Sequence, residues 1–75
     1  MFSKEIFAVR LKALRLAAAL SQEELGEKVA LSKQAINDME KCRRLTTLDK
    51  AYALADYFEI SLDYLVGRSD EREKR

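Results

Sequence analysis

The sequence has no histidine, proline or tryptophan, and it contains one cysteine and two glycines in 75 residues. Without histidine, and with a single cysteine, the chain offers neither the ligands of a typical zinc site nor the base of a histidine-dependent catalytic pair. A glycine-rich phosphate-binding loop is missing as well. These absences predict a protein that is not an enzyme and that needs no cofactor.

Two further absences bear on location. The single cysteine, Cys42, cannot close a disulfide within the chain, which favours a reducing compartment. Its basic neighbours raise the alternative of a redox sensor, but we interpret Cys42 as a small residue at a turn. The apolar stretch at residues 2–20 is interrupted by five charged side chains, so it resembles neither a secretion signal nor a membrane span. We expect a cytoplasmic protein with no membrane partner.

Alanine and leucine are abundant, and with no proline to interrupt them they favour an all-helical protein. The length suits one domain. Apolar spacing and capping residues predict five helices. The first begins after Ser3 and runs to about Ala18, the second starts at Ser21, and the third runs from Lys33 to about Lys41. The fourth is capped by Thr46 or Thr47 and ends near Phe58, and the fifth is capped by Ser61 and ended by Gly67. We expect the domain to span residues 1–67, with a charged and flexible tail at residues 68–75.

The most informative stretch is residues 22–41. Leu25 and Val29 have helical spacing, and Ile36 and Met39 have the spacing of a second helix. A short break separates the two pairs and ends at Ser32, which is a good N-cap. Gly26 leaves room for the second helix to cross closely. Two short helices joined by a tight turn indicate a helix-turn-helix, whose second helix enters the DNA major groove.

From Arg10 to Gly67 the sequence resembles the five-helix DNA-binding domain of lambda-type phage repressors, Cro and related XRE-type regulators. The matching segments are Arg10-Leu11-Lys12-x-Leu14-Arg15, Leu20-Ser21-Gln22-Glu23-Glu24-Leu25, Ser32-Lys33-Gln34-Ala35-Ile36-x-x-Met39-Glu40, Thr47-Leu48-Asp49, Leu54-Ala55-x-x-Phe58 and Ile60-Ser61-Leu62-Asp63-x-Leu65. The resemblance implies a compact all-α fold and a transcriptional regulator.

The chain departs from the family where helices end. Relatives usually have glycine at the positions of Ala19, Ala30, Cys42 and Glu59, where φ is positive. A non-glycine residue in that conformation costs about 1–2 kcal/mol, so either the turns are rebuilt or the domain tolerates strain. At Gly26 the situation is reversed, because relatives mostly have alanine.

Within the predicted recognition helix, residues that point away from Ile36 are candidates for base contact. Lys33 can donate to guanine, and Gln34 and Asn37 can bond adenine. Ala35 is a candidate for apolar contact with a thymine methyl group. Without the family resemblance, we would interpret these positions as the solvent-exposed face of an amphipathic helix.

Asp38 faces the same side and is harder to assign, because phosphates repel a carboxylate. It can accept from cytosine N4, or it can pair with Lys41 or Arg43 and contribute only to positioning.

Phosphate contacts are expected at both ends of the motif. The resemblance implies that Gln22, in the first turn of the second helix, touches the DNA backbone, where free N–H groups favour an anion. Ser32, at the cap of the third helix, is a second candidate. Lys41, Arg43 and Arg44 add positive charge in and after the third helix. The same resemblance implies a partly buried structural ion pair between Arg15 and Glu40.

Charge is unevenly distributed along the chain, although the net charge is only +1. Residues 1–20 and 32–44 are net positive, whereas residues 45–67 are net negative. The pattern suits a molecule with one DNA-facing side.

The leading hypothesis is a repressor that binds an inverted repeat in double-stranded DNA as a homodimer. The residues expected at its dimer interface are Tyr57, Tyr64, Leu65 and Val66, which could equally belong to the core. The alternative is a module that uses the same fold to bind a protein, such as an antitoxin that neutralises a toxin. An antirepressor is another partner of this kind.

Overall fold

The computed structural model describes residues 3–73. Within this range the chain forms five α-helices and no strand, which confirms the predicted all-helical class. The helices are α1 (Lys4–Ala17), α2 (Gln22–Val29), α3 (Lys33–Glu40), α4 (Leu48–Tyr57) and α5 (Leu62–Leu65).

Every helix begins at a serine or threonine whose side-chain oxygen accepts a backbone N–H of the first turn. These N-caps are Ser3, Ser21, Ser32, Thr47 and Ser61. Such a bond satisfies a donor that has no partner inside the helix. At α2 the cap is reciprocal, because the Glu24 carboxylate accepts the Ser21 N–H at 2.8 Å. The helix starts are therefore set by local sequence, as expected.

The core draws on all five helices. Its fully buried large side chains are Phe7, Leu11, Leu25, Ile36, Met39, Leu54 and Leu65. Burying a side chain of this size contributes about 1.5–3 kcal/mol. Around this core α2 packs on α3 and α4, α1 packs on α3 and α5, and α4 packs on α5. The recognition helix is therefore held from two sides, by α1 and α2.

The four helix ends at which relatives usually have glycine all contain a residue in the left-handed conformation. The φ values are 57° at Ala19, 58° at Ala30, 62° at Cys42 and 53° at Glu59. The domain thus tolerates the strain, and the turns are not rebuilt. After each of these residues, the next N–H bonds to a carbonyl five residues earlier, at 2.8–3.1 Å. These bonds satisfy the last carbonyls of the helix and offset part of the cost of about 1–2 kcal/mol per turn.

Gly26 is required by the turn between α2 and α3. A Cβ atom at this position would lie 2.3 Å from the Leu31 carbonyl oxygen. The close approach is thus made by the backbone of the turn, whereas the sequence led us to expect the crossing helix itself. The Leu31 N–H bonds back to the Gly26 carbonyl at 2.8 Å, which holds the turn against this spot.

Residues 68–73, expected to form a flexible tail, are hydrogen-bonded to the domain. The Ser61 N–H donates to the Arg72 carbonyl at 2.9 Å. Arg10, on α1, donates to the Ser69 carbonyl at 2.8 Å and to the Asp70 carboxylate at 2.9 Å. The Arg10 guanidinium also lies 4.0 Å from the centre of the Tyr64 ring, so it joins α1, α5 and this segment. Residues 74 and 75 of the expected tail lie outside the described range.

Candidate DNA interface

In the α2–turn–α3 unit, the first turn of α3 is exposed, whereas one face of the same helix is buried in the core. Ile36 and Met39 point into the core, and Lys33 and Gln34, in the first turn of α3, are exposed. Because the N-terminal residues of a recognition helix are the ones that reach base edges, this is the part of α3 that has to be accessible.

Ala35 is not available for DNA contact. Its exposed fraction is 3%, and it belongs to the core cluster. The expectation of contact with a thymine methyl group was therefore wrong. The buried side of α3 contains Ala35 together with Ile36 and Met39, whereas from the sequence we expected Ile36 and Met39 there, but not Ala35.

An ion pair joins α1 to α3. The Arg15 guanidinium donates to both oxygens of the Glu40 carboxylate, at 2.6 Å and 3.0 Å. The two side chains are only 10% and 3% exposed. A third bond, at 2.8 Å, runs from Arg15 to the Leu20 carbonyl in the turn before α2. The hydrogen bond to Glu40 raises the pKa of Arg15, so the guanidinium stays charged.

This pair continues into a polar chain that reaches α2. The Gln22 side-chain amide donates to Glu40 at 3.2 Å, and its oxygen accepts from the Asn37 amide at 3.2 Å. Asn37 is therefore turned toward α2, although the sequence analysis placed it on the outward face with Lys33 and Gln34. Neither its link to Gln22 nor the link from Gln22 to Glu40 was expected.

The outward face of α3 contains a second polar pair. The Gln34 amide donates to the Asp38 carboxylate at 2.9 Å. Asp38 is half-buried, and Arg43 donates its backbone N–H to the Asp38 carbonyl at 2.8 Å. The side-chain partner of Asp38 is thus the neutral amide of Gln34, one turn earlier. One of our two expectations was instead an ion pair with Lys41 or Arg43.

Exposed positive charge follows α3 directly. The side chains of Lys41, Arg43 and Arg44 are all exposed around the left-handed residue Cys42. Sequence reasoning overlooked one more cation near the motif: the Lys50 ammonium, on α4, donates to the Ala30 carbonyl at the end of α2 at 3.2 Å. A cation at a helix C-terminus is favourable. In the sequence, the only indication of this contact was a basic residue in the first turn of the fourth helix.

The residues expected at a dimer interface divide into two groups. Leu65 and Val66 are buried within the single chain, so they belong to its core and not to a dimer interface. Tyr64 is half-buried beneath Arg10, while Tyr57 is partly exposed and packs edge-on against Phe58. Apolar side chains with a higher exposed fraction than Tyr57 lie elsewhere. They are Leu45, Leu48 and Tyr52 around the start of α4, and Ile6, Val9 and Leu16 on α1.

Other kinds of site find no support in the described part of the chain. Among residues 3–73, no group of three or more potential metal ligands is placed to hold an ion. No helix in this range is long and apolar enough to cross a membrane.

The helix-turn-helix family model matches residues 11–65, which include the motif and the helices that hold it. The chain belongs to the helix-turn-helix family. It is 31% identical over 70 residues to YobD of Bacillus subtilis (strain 168), an uncharacterised HTH-type transcriptional regulator. The match covers 93% of this chain but only 62% of YobD, so the chain spans less than two thirds of that relative.

Two solved repressors and a solved controller protein share the fold of this chain. The P22 c2 repressor, crystallised with a synthetic operator, superposes with a TM-score of 0.80 at 26% identity, over 85% of this chain and 97% of that one. The LexA repressor of Eubacterium rectale gives 0.80 at 30% identity, over 84% and 67%. The restriction-modification controller protein C.AhdI of Aeromonas hydrophila gives 0.76 at 31% identity, over 83% and 94%. This chain therefore has a repressor-like DNA-binding fold, and its relatives are transcription regulators and not enzymes.

Proposed function

We propose that this protein is a cytoplasmic transcriptional repressor that binds an inverted repeat in double-stranded DNA as a homodimer. One observation carries the proposal. The first turn of α3 exposes Lys33 and Gln34, while the opposite side of the helix is buried and exposed basic residues follow directly. A helix fixed in this way can enter the major groove with its N-terminal residues toward the base edges.

Three side chains of α3 are proposed to read bases. The Lys33 ammonium is a pure donor and suits guanine O6 and N7. The amide of Gln34 already donates to Asp38, so Gln34 and Asp38 together present acceptor oxygens. Acceptors select bases with an exocyclic amino group, and a carboxylate suits cytosine N4, which has no neighbouring acceptor on its own base.

Phosphate contacts are assigned to the two flanks of α3. Gln22 lies in the first turn of α2, near backbone N–H groups and the positive end of the helix dipole. The Ser32 hydroxyl accepts the Ala35 N–H at 3.0 Å and still has its own O–H to donate. On the other flank, the exposed side chains of Lys41, Arg43 and Arg44 can neutralise phosphates.

Dimerisation is proposed because one chain presents one short recognition helix, whose half-site affinity is modest. The burial of Leu65 and Val66 moves the proposed interface to exposed apolar residues. The residues proposed for it are Leu45, Leu48 and Tyr52, which are exposed around the start of α4 after the basic loop, and Tyr57, which lies further along α4. Replacing Leu48 or Tyr52 by a charged residue should then give a monomer in sedimentation experiments.

Selection of bound fragments from a random pool of duplex DNA tests the proposal. The expected result is a short inverted repeat, with binding of two chains per fragment. Lys33→Ala should relax base preference at one or two positions, at a cost of about 1–3 kcal/mol there. Arg44→Ala should weaken binding to all sequences alike and lower the salt slope by about one unit.

Arg68→Ala provides the matched control, because this exposed arginine lies beyond α5 and pairs with Asp63 at 3.9 Å. It should leave both affinity and salt slope unchanged. If the wild-type protein enriches no sequence and binds no duplex, the DNA proposal is wrong. Co-purification of a specific protein from the native host would then favour the antitoxin alternative.

A further inference from the structure

We propose that Asn37 is a positioning residue, which fixes the amide of Gln22 at the start of α2 and reads no base. The inference rests on the DNA-binding function proposed above. It assigns the polar side chains of α3 to two tasks: Lys33, Gln34 and Asp38 face outward, while Asn37 and Glu40, three residues apart, face Gln22.

The direction of the hydrogen bonds follows from the chemistry of the groups. Arg15 can only donate, and ionised Glu40 can only accept. The Gln22 amide must therefore turn its nitrogen toward Glu40 and its oxygen away. That oxygen is met by the Asn37 nitrogen at 3.2 Å. The ion pair between α1 and α3 thus sets the orientation of the amide on α2.

The consequence for DNA concerns the second N–H of Gln22. A carboxamide nitrogen has two N–H groups, and Glu40 accepts one of them at 3.2 Å. The other is held in one orientation at the first turn of α2, where a phosphate is expected. An ordered donor loses little conformational freedom on binding, so fixing Gln22 beforehand should strengthen the phosphate contact.

Binding measurements on Asn37→Ala test this role. Loss of one ordering hydrogen bond should weaken binding by roughly 2- to 12-fold on every operator variant, with base preference unchanged. Gln22→Ala should have a similar uniform effect. In the Gln22→Ala background, Asn37→Ala should produce no further loss, because the residue it positions is absent.

Three controls make the outcome decisive. Lys33→Ala provides the contrast, since it should change preference at particular bases. Denaturation midpoints of all variants report whether each one is folded, and a folded variant is required for the comparison. The side-chain amide resonances of Gln22 in the free protein provide a readout without DNA, and they should shift in Asn37→Ala.

The results separate this inference from the function on which it rests. If Asn37→Ala alters preference at one base position, or if its effect adds fully to that of Gln22→Ala, Asn37 does not act through Gln22 and the inference is overturned. A wild-type protein that binds no duplex overturns the proposed function instead. Unchanged Gln22 amide resonances in Asn37→Ala count against the positioning role in either case.

Discussion

Replacing Glu40 by alanine should destabilise the fold more than any other single charge removal around α3. The substitution leaves Arg15 with its charge in a site where its side chain is 10% exposed, and it removes the acceptor of two hydrogen bonds, at 2.6 Å and 3.0 Å. The bond from Arg15 to the Leu20 carbonyl is retained. Gln22 also loses the acceptor of its amide nitrogen.

The expected cost follows from these contacts. Hydrogen bonds to charged groups contribute about 1.5–3 kcal/mol each, and loss of one partner from a buried pair costs about 3–5 kcal/mol. Because Arg15 keeps one carbonyl partner and some exposure, we expect a value near the lower end, about 3 kcal/mol. A domain of this size has roughly 4–11 kcal/mol of total stability. The melting temperature should therefore fall by about 12–24 °C.

Urea denaturation followed by circular dichroism measures this loss directly. Glu27→Ala is the matched control, since Glu27 is exposed on α2, and its effect should stay within about 0.5 kcal/mol. The double variant Arg15→Met, Glu40→Leu should recover most of the stability, because it removes both charges together. A Glu40→Ala midpoint equal to that of the wild type would refute the reasoning, since the pair would then contribute nothing to the folded state.

Three further outcomes can be checked on the isolated domain. Gly26→Ala should lower the free energy of unfolding by about 1–3 kcal/mol in denaturation experiments, because the new Cβ would lie 2.3 Å from the Leu31 oxygen. Ala30→Gly should raise it by about 1 kcal/mol, because glycine adopts a φ of 58° without strain. Backbone and hydroxyl hydrogen bonds from Ser21 lower the pKa of Glu24, so this contribution to stability is present above the ordinary glutamate pKa and is lost as pH falls through the lowered value. An NMR titration should show Glu24 protonating at lower pH than in Ser21→Ala, where the hydroxyl bond is gone but the backbone bond remains.

Features encoded within a few residues were predictable from the sequence. The capping box of Ser21 and Glu24 lies within one helical turn, and its residue types specify its hydrogen bonds. The left-handed turns at Ala30 and Cys42 were located because each ends a helix where the family resemblance places glycine. In these cases the local chemistry and the tertiary fold favour the same conformation.

Features that depend on a distant segment were not predictable in the same way. Rotation about α3 places Asn37 on the outward face, because it cannot show that Gln22, fifteen residues earlier, lies beside Asn37. Likewise, the contact of Arg10 with Ser69 joins residues 59 positions apart. For Leu65, a four-residue helix is too short for periodicity to distinguish core from surface.

The separation of charge along the chain has a consequence for the kinetics of DNA association. Exposed cations of residues 33–44 lie on α3 and its loop, whereas exposed carboxylates at Asp49, Asp56, Glu59 and Asp63 lie on and around α4 and α5. With a net charge of +1, the molecule as a whole is drawn only weakly to a polyanion. Within a Debye length of about 8–10 Å, however, we expect phosphates to attract the cations of α3 and its loop and to repel the carboxylates of α4 and α5. If the protein binds DNA as proposed, encounters in which the acidic helices face the phosphates should therefore be shorter than those in which α3 does.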